Sequence, residues 1–365
     1  MEFASDLLER IRKQIGLEPA SDDAFTLLHP TGNEHSVQFF FKNLPEEFLE
    51  FETWDKHNLF LCDLTAELDF DFALDEDGRF ASLSLNGSTQ SKSVEAVMDL
   101  RDDYLVTIYY FGDSKTSTRV NQQLIATERI FPCYLGAQIL EQLICELDTI
   151  TRVEYDFEQQ QGAFLEPVIL KGTINGPPAQ TIYNQYLHSY KPYFNIKCIC
   201  GHLTDDAQGN LVFHVYGMIQ VDDCRLSDFM NIVKQLYLLL RMKYQNLVDK
   251  CVIRWESADG NKATRFTGNV IEIWLGKPVD KLDGLLRFLT RGDKSIQLFG
   301  ISERVTRKLW SIKSIHVNTG AKVELELSAN MLRIYLADRR SIPILDKIED
   351  FLQKHVTIDL ENLVY

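Results

Sequence analysis

Apolar residues along this chain fall into two spacings. Leu7, Leu8, Ile11 and Ile15 recur at helical spacing, with Ser5 placed to cap the start and Gly16 to end it. Strand-like runs follow at Phe25–Leu28 and Val37–Phe41, and Leu44-Pro45-Glu46-Glu47 reads as a short helix start. Leu64, Ala66, Leu68, Phe70, Phe72 and Leu74 then alternate with Asp63, Thr65, Glu67, Asp69 and Asp71. Period two over this length predicts a strand with one dry face and one wet face. Asp75-Glu76-Asp77-Gly78 supplies a turn into a second strand, Phe80–Leu85. Ser93–Leu100 is predicted helical, and Tyr104–Phe111 and Arg119–Ile125 form another predicted strand pair.

The order then becomes regular. Pro132 precedes a helix bearing Leu135, Ile139, Leu140, Leu143, Ile144 and Leu147. Strands are predicted at Val153–Phe157 and Pro167–Lys171, and Pro177-Pro178 starts a helix through Ile182, Tyr186 and Tyr190. A hairpin follows, Phe194–Cys200 and Leu211–Val221. The strongest helical stripe is next: Leu226, Phe229, Met230, Val233, Leu236, Tyr237 and Leu240. Asp222 and Asp223 precede it and Arg241 and Lys243 sit in its last turns, an order that suits the helix dipole. The last third repeats the grammar. A hairpin, Cys251–Glu256 and Phe266–Leu275, leads to a helix through Val279, Leu282, Leu285, Leu286 and Leu289. Strands are predicted at Ile296–Ile301, Trp310–Val317, Val323–Leu327 and Leu332–Leu336, and Ser341 caps a final helix with Ile344, Leu345, Ile348, Phe351 and Leu352.

This order predicts an α+β fold: antiparallel sheets of repeated β-hairpins with helices packed on one face, arranged as tandem repeats. Three units are expected, an acidic one at 1–128, a middle one at 129–247 and a mildly basic one at 248–365. The element order resembles the fold shared by class I type III secretion chaperones and YbjN-like domains. The opening Leu7-Leu8-Glu9-Arg10-Ile11-Arg12-Lys13-Gln14-Ile15-Gly16 is similar in style to such a chaperone's first helix. That resemblance is one of topology, with no repeated residue motif. It implies a protein-binding role without catalysis. Those chaperones are usually one small homodimeric domain, so three fused copies depart from the pattern.

Charge divides the chain. Residues 1–240 carry 17 Lys and Arg against 37 Asp and Glu, whereas residues 241–365 carry 21 against 16. So acidic a chain is not expected to coat nucleic acid along its whole length, but its basic last third can hold a local anion-binding face. No stretch approaches the roughly 20 apolar residues of a membrane span. Met1-Glu2-Phe3-Ala4-Ser5-Asp6 lacks the basic start of a signal peptide. Seven scattered cysteines predict buried thiols and a reducing, cytoplasmic setting.

Chemistry is sparse. Cys198, Cys200 and His202 share one face of a predicted strand and are ligand types that zinc takes, but a fourth ligand is not placed. The comb Asp63, Glu67, Asp69, Asp71 and Asp75 reads as a solvated outer face. G-x-S-x-G, H-E-x-x-H and a phosphate loop are absent from the sequence. No metal site, catalytic residue or cofactor is expected.

The densest local feature is basic: Lys281, Arg287, Arg291, Lys294, Arg304, Arg307, Lys308 and Lys313, with Trp310 nearby. Arg and Trp favour interfaces, and Arg also binds phosphate. The alternative is a solvated face paired with Asp283, Asp293 and Glu303. The leading reading is therefore a non-catalytic protein-binding module, chaperone-like or a scaffold, whose partner is another protein or a second copy of itself. The alternative is a binder of nucleic acid or nucleotide through residues 281–313. A third is an enzyme with an unrecognised site.

Overall fold

The computed structural model describes residues 27–28, 35–44, 46–65, 70–85, 96–110, 114–127, 129–159, 168–184, 194–203, 210–222, 224–257, 264–275, 282–291 and 296–355. In chain order the elements begin with β1 (Leu27–Leu28), β2 (His35–Lys42), α1 (Thr53–Thr65), β3 (Phe70–Leu74), β4 (Phe80–Leu85), β5 (Ala96–Asp99) and β6 (Leu105–Tyr110). Next come α2 (Ser114–Ala126), β7 (Ile130–Pro132), α3 (Gly136–Ile144), β8 (Thr149–Gln159), β9 (Val168–Asn175), α4 (Pro178–Ile182), β10 (Phe194–His202), β11 (Asn210–His214), β12 (Met218–Asp222) and β13 (Cys224–Arg225). The remainder is α5 (Leu226–Asn246), β14 (Arg254–Ser257), β15 (Thr264–Thr267), β16 (Ile271–Trp274), α6 (Leu282–Thr290), β17 (Leu298–Thr306), β18 (Leu309–His316), β19 (Lys322–Ser328), β20 (Met331–Leu336) and α7 (Ile342–His355). The fold is α+β, rich in antiparallel hairpins, as the pattern predicts.

Two compact units emerge, each assembled from separated stretches of chain. The first takes residues 1–135, 139–152 and 198–241, and the second takes 136–138, 153–197 and 242–365. The sequence stretches 1–128, 129–247 and 248–365 do not map onto these units one to one, because the middle stretch contributes to both.

In the first unit the hydrogen-bonded order runs β3-β4-β5-β6-β2-β12-β11-β10, with β7 also pairing β2. Every residue of β5 and β6 is buried, so these central strands read as continuous apolar runs instead of alternating ones. Phe40, Phe60, Leu64, Met98, Ile108, Val120 and Leu124 form one core. Several local expectations yield to that packing. Asp63 and Leu64 belong to α1, and the strand expected from Leu64 onward begins only at Phe70. In the helix expected over Ser93–Leu100, Ala96–Asp99 form strand β5, and residues 93–95 lie outside the described residues. The strand expected at Arg119–Ile125 is part of α2, whose Val120 and Leu124, one turn apart, are the positions buried in the core. Leu211–Val221 is two strands, turned at Tyr216 and Gly217, whose φ of 75° suits glycine. The predicted helix at residues 5–16 lies outside the described residues.

The second unit centres on an antiparallel sheet ordered β16-β20-β19-β18-β17. Alternation is clean here. Ile271, Ile273, Ile312, Val323, Leu325, Leu327, Leu332, Ile334 and Leu336 are buried, and the register aligns them on one face. Helix α6 lies on that face: Ser314 Oγ donates to Leu289 O at 3.1 Å, and Leu285, Leu286 and Leu289 are buried. The opposite face carries a ladder in which Arg333 pairs with Glu272 at 2.8 Å and with Glu326 at 3.6 Å. The predicted strand Phe266–Leu275 is broken into β15 and β16 at Gly268, φ 119°.

Candidate functional site

β17 is the last strand of its sheet, and its side chains sort by parity. In register with β18, Phe299 faces Ile315, Ile301 faces Lys313 and Glu303 faces Ser311 on the outer face. Leu298 faces His316 and Arg304 faces Trp310 on the inner face. Besides Lys313 and Glu303, the outer face exposes apolar side chains: Phe299 is 55% exposed, Ile301 76%, Ile315 49% and Val317 55%. Single exposed apolar residues are ordinary, but neighbouring ones on adjacent strands make a patch.

At the far end of the hairpin the charge turns positive. Arg304, Arg307, Lys308 and Lys313 are exposed, and Glu303 is the sole carboxylate in β17 and β18. Arg304 lies over the Trp310 ring at 5.8 Å. Its Nε donates to Thr306 O at 3.3 Å and its Nη2 to Arg307 O at 3.0 Å. Stacking and two backbone acceptors hold the guanidinium in one orientation. The basic residues expected to act together are thus divided. Arg304, Arg307, Lys308 and Trp310 meet at the hairpin tip, and Lys313 lies on the outer face. Arg287 and Arg291 are exposed on and just after α6, which covers the other face. Lys281 and Lys294 lie outside the described residues. Among the described residues no carboxylate comes within ion-pairing distance of any of these side chains that can be placed. Of the acidic partners expected for a solvated face, Asp283 and Glu303 form no ion pair among the described residues, and Asp293 lies outside them.

The acidic comb disperses. Asp63 pairs with Arg129 at 2.7 Å. Asp75 Oδ1 accepts from the Arg79 and Phe80 backbone at 2.7 and 3.1 Å, fixing the β3–β4 turn. Asp71 is exposed, and Glu67 and Asp69 lie outside the described residues. Cys198 and Cys200 do share a strand face, sulfurs 3.9 Å apart and buried, and no disulfide joins any of the cysteines. Among the described residues no three His, Cys, Asp or Glu converge as metal ligands do.

Two buried polar hubs carry no sequence signal, because their members lie far apart in the chain. In the first unit Asp102 accepts from Tyr104 N at 2.7 Å, Leu105 N at 3.0 Å and Tyr237 OH at 2.7 Å, and pairs with Arg241 at 3.0 Å. Burial first, then the Asp102 carboxylate, pushes the Tyr237 phenol well above its ordinary range. Beside it, buried Lys42 donates to Leu100 O and Asp102 O at 3.1 and 3.2 Å. His57, also buried, has Nδ1 2.5 Å from Gly78 O, and its Nε2 has no hydrogen-bond partner among the described residues. Burial, then the Lys42 charge, lowers its pKa to about 4. In the second unit Lys243 Nζ lies 2.8 Å from Asp346 and 3.5 Å from Glu349, and Tyr244 OH donates to Asp346 at 2.5 Å. In both hubs the carboxylates are matched to cations and phenols, as in structural contacts.

A family model described as MJECL33-like protein matches residues 225–341, under half of the chain, a span that runs from β13 to just before α7. No curated protein matches the chain.

Proposed function

We propose that the protein is a non-catalytic protein-binding module, of the chaperone or scaffold kind, that engages its partner through the β17–β18 hairpin. One observation carries the reading: an end strand presents exposed Phe299 and Ile301 beside exposed Ile315 and Val317, next to a cationic tip. Soluble proteins protect such strands with prolines, inward charges or covering loops. A strand left open with an apolar face is the form that recruits another polypeptide. The carboxylates of the two hubs are held by cations and phenols, whereas the hairpin pairs exposed apolar side chains with exposed cations.

A photo-crosslinking residue placed at Ile301 in the full chain tests this. The same polypeptide should be trapped repeatedly from its native setting, and the Ile315→Asp change should abolish trapping. A crosslinker at exposed Leu238 serves as control. Identical background at both positions would overturn the proposal.

A further inference from the structure

We infer that the occupant of this surface is an extended segment of another protein, which adds as a new strand along β17 and carries large apolar residues at every second position with carboxylates between them. The inference rests on the protein-binding reading above and specifies its mode and chemistry.

The edge itself sets the mode. β18 pairs one side of β17. On the other side Arg291 bridges Phe299, and among the described residues nothing pairs Gly300 to Thr306. The pairing with β18 shifts register between Arg304 and Thr306, and such a bulge twists the strand and ends regular pairing. The usable edge is therefore Gly300 to Arg304. At Gly300 a Cβ would collide with Ser314 Oγ and Lys313 O. The two strands approach too closely there for any side chain on residue 300, so β18 and β17 stay in register up to the bulge.

Parity sets the chemistry. A strand laid beside β17 places alternate side chains on opposite faces. Those on the outer face fall beside Phe299 and Ile301 and are matched by large apolar residues. Those on the inner face fall beside Ser302 and Arg304. The Arg304 guanidinium is already oriented by Trp310 and its own turn, with donors remaining for a carboxylate. Arg307 and Lys308 extend the positive charge past the strand's end. Nucleic acid fits less well, because the cations are divided between the two faces of the sheet and exposed Phe299, Ile301, Ile315 and Val317 lie on the outer one.

The test uses the full-length protein and short synthetic peptides followed by fluorescence anisotropy. One peptide alternates Ile or Val with Asp or Glu, a second holds the same residues in blocks, and a third is the alternating peptide N-methylated at every second amide. The alternating peptide should bind, the blocked and methylated forms should bind at least about tenfold more weakly, and Arg304→Gln should cost roughly tenfold, as a charge-assisted contact does. Equal binding of the alternating and blocked peptides would overturn strand addition while leaving the crosslinking result at Ile301 to decide the broader reading. Self-association in sedimentation that Ile301→Asp abolishes would assign the surface to a second copy and overturn the foreign occupant. Salt-sensitive binding of a single-stranded oligonucleotide, lost with Arg304→Gln and without peptide binding, would do the same in favour of nucleic acid.

Discussion

Lys243 holds a buried charge cluster in the second unit. Its ammonium faces Asp346 and Glu349, all three buried. Removing one member of a buried pair leaves the other charge without compensation, typically about 3–5 kcal/mol. Lys243→Met should lower unfolding stability by that order in urea titration, and adding Asp346→Leu should recover part of the loss. The histidines set a pH dependence. His57 and His316 are both lowered to about 4, by burial first and then by Lys42 and Lys347 respectively. Below pH 6.5 the unfolded chain takes up protons that the folded chain refuses. Stability from these groups is therefore full above about 6.5 and falls as pH drops from there to about 4. His57→Gln should flatten that slope in melts between pH 4 and 7, and an unchanged slope would show that His57 does not contribute.

At the scale of elements, position within a sheet decides what a substitution costs. Ile301 lies on an exposed edge, so Ile301→Asp should change stability by less than about 0.5 kcal/mol while removing peptide binding. Gly217, between β11 and β12, is the opposite case. A Cβ there would lie 2.7 Å from Cys133 O, and φ is 75°. Gly217→Ala should destabilise by about 1–3 kcal/mol in thermal melts. In the α2 segment the expected strand runs against the local period. Its apolar residues Val120 and Leu124 stand four apart, with Asn121, Gln122 and Gln123 between them, a helical spacing whose buried face is the core around these two residues.

At the scale of the molecule, each unit is stitched from three stretches of chain, so cuts at apparent sequence boundaries break packing. A fragment of residues 248–365 lacks Lys243 and Tyr244 and strands Asp346 in the interior. A fragment starting at 242 keeps them. The longer fragment should be the more stable by about 3 kcal/mol or more, the cost of an unpaired buried carboxylate, as measured by chemical denaturation. Equal stability would mean that these contacts carry little. Among the described residues, no helix is long and apolar enough to cross a membrane.

By itself the amino-acid order determined the α+β class, the long α5 helix, the β18, β19 and β20 strands and the basic character of the β17–β18 hairpin. Local periodicity and turn chemistry specify such features wherever one face is dry and the other wet. Tertiary structure decided the rest. It turned the buried Ala96–Asp99 run into a central strand, where a fully covered segment loses its period, and it split the basic residues between two faces of a sheet. It also gathered Asp102 with Tyr237 and Lys243 with Asp346, since charges separated by a hundred residues meet only when packing brings them together.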